Sequence, residues 1–326
     1  MSPWRSLWLG GSLLGCTTGS APTTQPTTAN EGFVAGADDV RLFYRIVGTR
    51  GDTLIFLHGG PGENFQGVGP DLEPLAQRYV LVFYDQRGSG RSETPADTTL
   101  VTVERHVADL DAIRRHFKLE HVTLIGHSWG CGLAALYAAA YPDMVERLLL
   151  IAPLPAARTP YFTARLAAMA KRDSVLAAAL GWDSDDQLPG MDATARCRRR
   201  RLFSDLRYYA DSAAIRRKRG DYCAVPPEAY EAQHLTQRRT LASLGDWDLR
   251  PVLDSIGAPS LVVEGALSPV PLDAVELWAA LIPEARLLLV PGAGHAYPFV
   301  EQPDLFFPAV EQFLNGDWPS DAVVVR

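Results

Sequence analysis

The sequence predicts one large α/β domain interrupted by a helical insertion, and three observations carry that expectation. The chain has 326 residues with 47% hydrophobic content, enough for one sizeable core with an insertion rather than two independent domains. Short β-branched apolar runs recur along both ends of the chain, several of them closing in glycine-rich turns, which is the pattern of buried strands. Between Pro153 and about Gly245 the pattern becomes helical and polar with no strand signal.

The chain opens on a targeting segment. Arg5 supplies a minimal positive region, Ser6 to Leu14 a short apolar run, and Leu13-Leu14-Gly15-Cys16 follows. The run is too short to span a bilayer. The four residues resemble a bacterial lipobox, in which the cysteine is lipidated, so Cys16 is the expected lipidation site; an ordinary signal peptide is the other reading. Residues 17–30 are rich in Thr, Pro and Ser and cannot bury a core, so they read as a tether. The expected organisation is thus 1–16 signal and lipobox, 17–30 tether, 31–152 and 246–316 core, 153–245 cap, and 317–326 tail. This places the protein at the bacterial cell envelope, lipid-anchored and periplasmic.

In the core, Val40–Val47 alternates apolar and polar and pairs with the segment before it. Thr53–Leu57 is the next strand and ends at His58-Gly59-Gly60-Pro61-Gly62, where bare backbone N–H groups can approach a reacting atom. Tyr79–Tyr84 ends in the turn Asp85-Gln86-Arg87-Gly88-Ser89-Gly90-Arg91-Ser92, in which Asp85 and Arg87 can tie loop backbones together. Val101–Phe117 has helical periodicity. His121–Ile125 is a buried strand, Cys131–Ala140 a buried helix, and Gly126-His127-Ser128-Trp129-Gly130 joins them. A serine wedged between strand and helix sits on a strained turn that lifts its hydroxyl above the sheet edge and aims the first helical amides at the same spot. Ser128 is therefore the candidate nucleophile, with the amides of Gly60 and Trp129 as the candidate oxyanion hole.

Three motifs in this order, at 58–62, 85–92 and 126–130, resemble the α/β-hydrolase fold, and within it the proline iminopeptidase-like serine peptidases. The resemblance covers roughly 31–152 and 250–316. It implies a mostly parallel eight-stranded sheet with a helical cap inserted after the sixth strand. Val145–Ile151, Ser260–Glu264 and Arg286–Val290 fit as strands six to eight. It implies His295, on the glycine-rich loop after the last strand, as general base, and no metal or organic cofactor. Glu301–Asn315 then reads as a closing amphipathic helix with Gly316 at its cap.

One position departs from the family. Where an aspartate is expected past the seventh strand, the chain reads Gly265-Ala266-Leu267-Ser268. Glu264 is the first candidate for the acid, because a carboxylate at the end of a buried parallel strand is costly without a partner. Asp273 is the second, although Asp273-Ala274-Val275-Glu276 also reads as a helix N-cap with a capping-box glutamate. A serine–histidine dyad is the third.

The resemblance further implies an aminopeptidase with a carboxylate for the substrate ammonium. Glu63 is a candidate, as are Asp205, Asp211, Asp221, Glu228 and Glu231 in the cap. An esterase or lipase-like enzyme needs no such group, and a binding protein that kept the fold needs no turnover. The expected partner is a small ester or short peptide; a net charge of −7 argues against nucleic acid. Basic runs at Arg198–Arg201 and Arg216–Arg219 read as helix faces paired with Asp205, Asp211 and Asp221, or as contacts for an anionic membrane or substrate. With Cys16 lipidated and Cys131 in a buried helix, Cys197 and Cys223 remain as a candidate disulfide.

Overall fold

The computed structural model describes residues 30–180 and 190–325. The lipobox with Cys16, the tether up to residue 29 and the side chain of Glu231 lie outside the described residues. The strands are β1 (Glu31–Ala35), β2 (Arg41–Val47), β3 (Thr53–Leu57), β4 (Val80–Tyr84), β5 (Val122–His127), β6 (Val145–Ile151), β7 (Ser260–Gly265) and β8 (Ala285–Val290). They form one eight-stranded sheet in the order β1-β2-β4-β3-β5-β6-β7-β8. β1–β2 and β2–β4 are antiparallel, and every later pair is parallel.

The helices in chain order are α1 (Gly69–Leu72), α2 (Val103–His116), α3 (Trp129–Ala140), α4 (Thr163–Leu180), α5 (Ala193–Leu206), α6 (Pro227–Leu244), α7 (Arg250–Leu253), α8 (Leu272–Leu281), α9 (Pro298–Glu301) and α10 (Pro303–Leu314). The parallel strands are buried on both faces because their residues alternate between two cores. Ile55, Leu57, Leu124, Leu148 and Val262 join the layer that includes α2, α3 and α8. Leu54, Phe56, Ile125, Leu149 and Val263 join the layer containing α9 and α10. A strand with apolar residues at every position can be covered on both sides, so near-continuous apolar runs here mean parallel sheet.

α4, α5 and α6 all lie between β6 and β7, and α5 is bridged to the segment before α6 by a Cys197–Cys223 disulfide. The expected closing helix is α10, Pro303–Leu314; Gln302 sits at φ −136, ψ 59 and separates it from the short α9, because the residue before a proline is pushed out of the helical region. One local expectation is corrected. α8 is capped at Pro271 rather than Asp273; Asp273 lies inside the first turn and takes the adjacent Ala274 N–H at 2.9 Å. The C-terminal residues return to the sheet, where Val323 exchanges backbone hydrogen bonds with Leu287 at 2.8 Å.

Candidate active site

Open parallel sheets gather ligands at the carboxyl ends of their strands, and the candidate residues all sit there. Ser128 follows β5, Gly60 follows β3, Glu264 is the penultimate residue of β7 and His295 follows β8. Ser128 adopts φ 54, ψ −114, a backbone region costing a non-glycine residue about 1–3 kcal/mol, which the surrounding structure must impose. The flanking glycines allow it. A Cβ on Gly126 would lie 2.7 Å from the Cys131 backbone, and one on Gly130 would lie 2.0 Å from the Leu57 carbonyl oxygen. α3 can therefore start directly behind the serine, with Trp129 contributing its first free amide.

Adjacency in the sheet brings one of the candidate carboxylates to His295. Glu264 pairs with Leu289 across β7–β8, which sets it beside the strand that feeds the His295 loop. Its Oε2 accepts from His295 Nδ1 at 2.8 Å, and its Oε1 accepts from the Gly265 N–H at 2.9 Å. Both residues are buried, Glu264 at 0% exposure. With Nδ1–H donated to Glu264, the Nε2 of His295 is left as the acceptor. Asp273 is exposed at the start of α8, and Ser268 uses its Oγ to accept from the Val270 N–H at 3.0 Å. Neither is engaged with His295.

Sequence reasoning missed the residue that sets serine against histidine. His127, one position before Ser128, hydrogen bonds through Nε2 to the carbonyl of Ala296, one position after His295, at 2.9 Å. That bond locks the β5 turn to the β8 loop. Its signal was present, a histidine inside the motif, but nothing local named its partner. A second tie fixes the β3 loop: Gln86 donates its backbone N–H to His58 Nε2 and its side-chain amide to His58 O, both at 2.9 Å. Its Oε1 accepts from the Trp129 indole at 2.9 Å. Asp85 accepts from the Phe65 and Arg91 amides at 3.0 and 2.9 Å. Arg87 makes a buried bidentate pair with Asp109, both contacts at 2.7 Å. The 85–92 turn thus holds loop backbones together, as its composition suggests.

A cavity of about 950 Å³ opens above Ser128 between the sheet and α4–α6, and Gly60, Trp129 and His295 line it as well. Glu63 is the only carboxylate lining it among the described residues, yet it does not present a free charge. Arg201 of α5 reaches down to Glu63 at 2.6 Å and to Asp205 at 2.8 Å. Tyr297 donates to Asp205 at 2.7 Å, and Lys218 also pairs with Asp205. Burial pushes the Glu63 carboxyl up, but the Arg201 guanidinium more than reverses this and holds it below the usual range. Glu63 thus lines the cavity with its charge already paired to Arg201. Of the other acids, Asp221 pairs with Arg198 at 2.7 Å and Asp211 caps Ala213 at 2.9 Å. No group of His, Cys, Asp and Glu among the described residues could hold a metal ion.

Burial also keeps three histidines near the site neutral, lowering His58 and His127 to about 4 and His106 to about 3. His106 sits under Trp129 and bonds Thr240 Oγ1 at 3.0 Å. As pH falls below about 6.5 the unfolded chain protonates this imidazole first, so its contribution to stability is present above that pH and drains away toward its folded pKa. His106→Gln should make stability less acid-sensitive by about 1.4 kcal/mol per pH unit between about pH 6 and 4. Equal slopes for both proteins in denaturant titrations across that range would mean His106 takes up its proton in the folded state.

The fold and the site define a class. Residues 52–302 match the family model described as the alpha/beta hydrolase fold, and the chain belongs to that family; it is a hydrolase. Within the family it is proline iminopeptidase-like. It is 25% identical over 286 residues to a proline iminopeptidase of Heyndrickxia coagulans, covering 81% of this chain and 91% of that one. It is 27% identical to one from Lactobacillus helveticus, covering 84% and 94%. Among solved structures, a hydrolase from Pseudomonas aeruginosa PA01 superimposes with a TM-score of 0.62 at 25% identity, covering 88% of this chain and 99% of that one.

Proposed function

We propose that the protein is a serine hydrolase acting through a Ser128 acyl-enzyme. The observation that carries this reading is the buried Glu264–His295 contact at 2.8 Å beside a strained Ser128 on one cavity. His295 takes the Ser128 proton as the hydroxyl attacks the substrate carbonyl, while Glu264 holds the imidazole tautomer and stabilises the imidazolium. The amides of Gly60 and Trp129 receive the negative charge on the carbonyl oxygen. His295 returns the proton to the leaving group, and water repeats the sequence to release the acid. Residues 13–16 add a lipid anchor at Cys16 to the proposal, which would hold the enzyme at the cell envelope.

The names of the curated relatives support an aminopeptidase acting on a free N-terminal proline. One observation favours a second reading, an esterase: Glu63, the one carboxylate lining the cavity among the described residues, is already paired with Arg201. Three substrates distinguish them, prolyl-2-naphthylamide, its N-acetylated form, and 4-nitrophenyl butyrate. Turnover of the free-amine amide alone supports the peptidase. Turnover of the butyrate ester without either amide removes that reading.

A further inference from the structure

Both basic runs of the cap contribute paired charges: in the first, Arg198 meets Asp221 at 2.7 Å and Arg201 meets Glu63 and Asp205. Arg216–Arg219 is consumed in holding the cap down: Arg217 donates to the Val300 and Glu301 carbonyls at 3.1 and 3.0 Å, Lys218 pairs with Asp205, and Arg219 pairs with Glu73 at 2.7 Å. The first run lies on α5, which forms a wall of the cavity. Residues 153–245 carry sixteen Arg and Lys against ten Asp and Glu, with the three aspartates of 181–189 counted. This excess of positive charge sits on a chain whose net charge is −7.

Arg165, Arg196, Arg201 and Arg207 line the cavity, where Glu63 is the only carboxylate among the described residues. Arg201 is offset by Glu63 and Asp205. Arg207 is offset by Asp173 at 3.0 Å. Arg165 and Arg196 have no carboxylate partner among the described residues. Arg165 gives one N–H to the Tyr208 hydroxyl at 3.2 Å and keeps its Nε buried without a hydrogen bond. The Tyr208 ring lies 5.2 Å from the His295 ring. Positive charge therefore stands one side chain away from the candidate base. Beside it, Phe162, Leu166 and Met169 form an apolar stripe along the cavity, with Phe162 packed on Trp247 at 5.1 Å.

We infer that the substrate is anionic: an ester or amide whose acyl part carries a carboxylate a few bonds from the scissile carbonyl, received by Arg165 and Arg196. Guanidinium suits this role because its planar fork matches a carboxylate with two parallel hydrogen bonds. Arg165 is part-buried, so a pair formed there counts for more than a surface pair, while Arg196 is exposed. A substrate ammonium in the same place would meet like charge. The inference rests on the serine hydrolase reading, so its test includes a measurement independent of turnover.

In the turnover arm, 4-nitrophenyl hemiglutarate is compared with neutral 4-nitrophenyl butyrate. kcat/KM should favour the hemiglutarate by about tenfold or more at low salt. The preference should shrink as NaCl rises from about 20 mM to about 500 mM and fall toward unity in an Arg165→Gln, Arg196→Gln double variant, mainly through KM. In the binding arm, calorimetry with glutarate should give saturable heat with Ser128→Ala protein and little with the double variant built on it. Equal or lower kcat/KM for the hemiglutarate, or a preference that survives the double substitution, overturns the inference. If neither ester turns over but glutarate binds through the two arginines, the hydrolase reading fails and the anion site stands. Absence of glutarate heat overturns the site itself.

Discussion

Ser128→Ala should fold as the parent does and lose hydrolysis by a factor on the order of 10⁴ or more, in line with removing the nucleophile from a triad that acts as a unit. Folding is expected to survive because the hydroxyl carries none of the turn's architecture. The strained φ of 54 is imposed by the Ser128 N–H bond to the Ile151 carbonyl at 3.0 Å and by the start of α3, and alanine meets the same backbone cost as serine. A residual rate near a tenth of the parent's would be incompatible with an acyl-enzyme on this residue. A fluorophosphonate probe gives an independent reading. The parent should label at Ser128 and the variant should not. A folded parent that resists labelling would point instead to a binding protein on a hydrolase scaffold.

Glu264→Gln should reduce kcat by roughly two to four powers of ten with KM little changed, the range seen when the acid of a triad is neutralised. That is about 2.7–5.5 kcal/mol of transition-state stabilisation. The amide oxygen of glutamine can still accept from Gly265, so the strand end keeps its hydrogen bond. Its NH₂ would face His295 Nδ1 and donate to it. The imidazole would then carry its proton on Nε2, where it cannot accept one from Ser128. The buried charge that steadies the imidazolium is also gone. Asp273→Asn and Ser268→Ala should stay close to the parent, since one side chain is exposed on α8 and the other caps Val270. A Glu264→Gln enzyme within about threefold of the parent, with Asp273→Asn strongly impaired, would reassign the acid.

Legibility along the chain followed the range of the forces involved. β3 and β6 occupy the residues that apolar patterning predicts, and β7 and β8 differ by one residue, because burial of a strand writes itself into consecutive positions. The closing helix starts at Pro303 rather than Glu301, and the proline that sets its start was in plain view. The capping reading of Asp273 failed because Pro271 already opens the helix. In the site, Ser128 and the glycines around it are readable from sterics within a few residues. The His127–Ala296 bond spans 169 positions and leaves no periodic trace.

Charge was the least legible property. The runs at 198–201 and 216–219 have the composition of solvated helix faces, yet Arg201 and Lys218 are nearly buried, with side-chain exposures of 15% and 7%. They bind Asp205 inside the structure, and Arg201 also holds Glu63 from 138 residues away. The sequence by itself determined the parallel sheet, the strained serine turn and the loop that bears His295. Each depends on local backbone geometry or on apolar periodicity, and both are properties of neighbouring residues. Only the tertiary structure decided that Glu264 meets His295, that Glu63 pairs with Arg201 and that Arg165 and Arg196 line the cavity. Pairing among charges is set by which remote elements pack together, since a buried charge must find its partner in space and not along the chain.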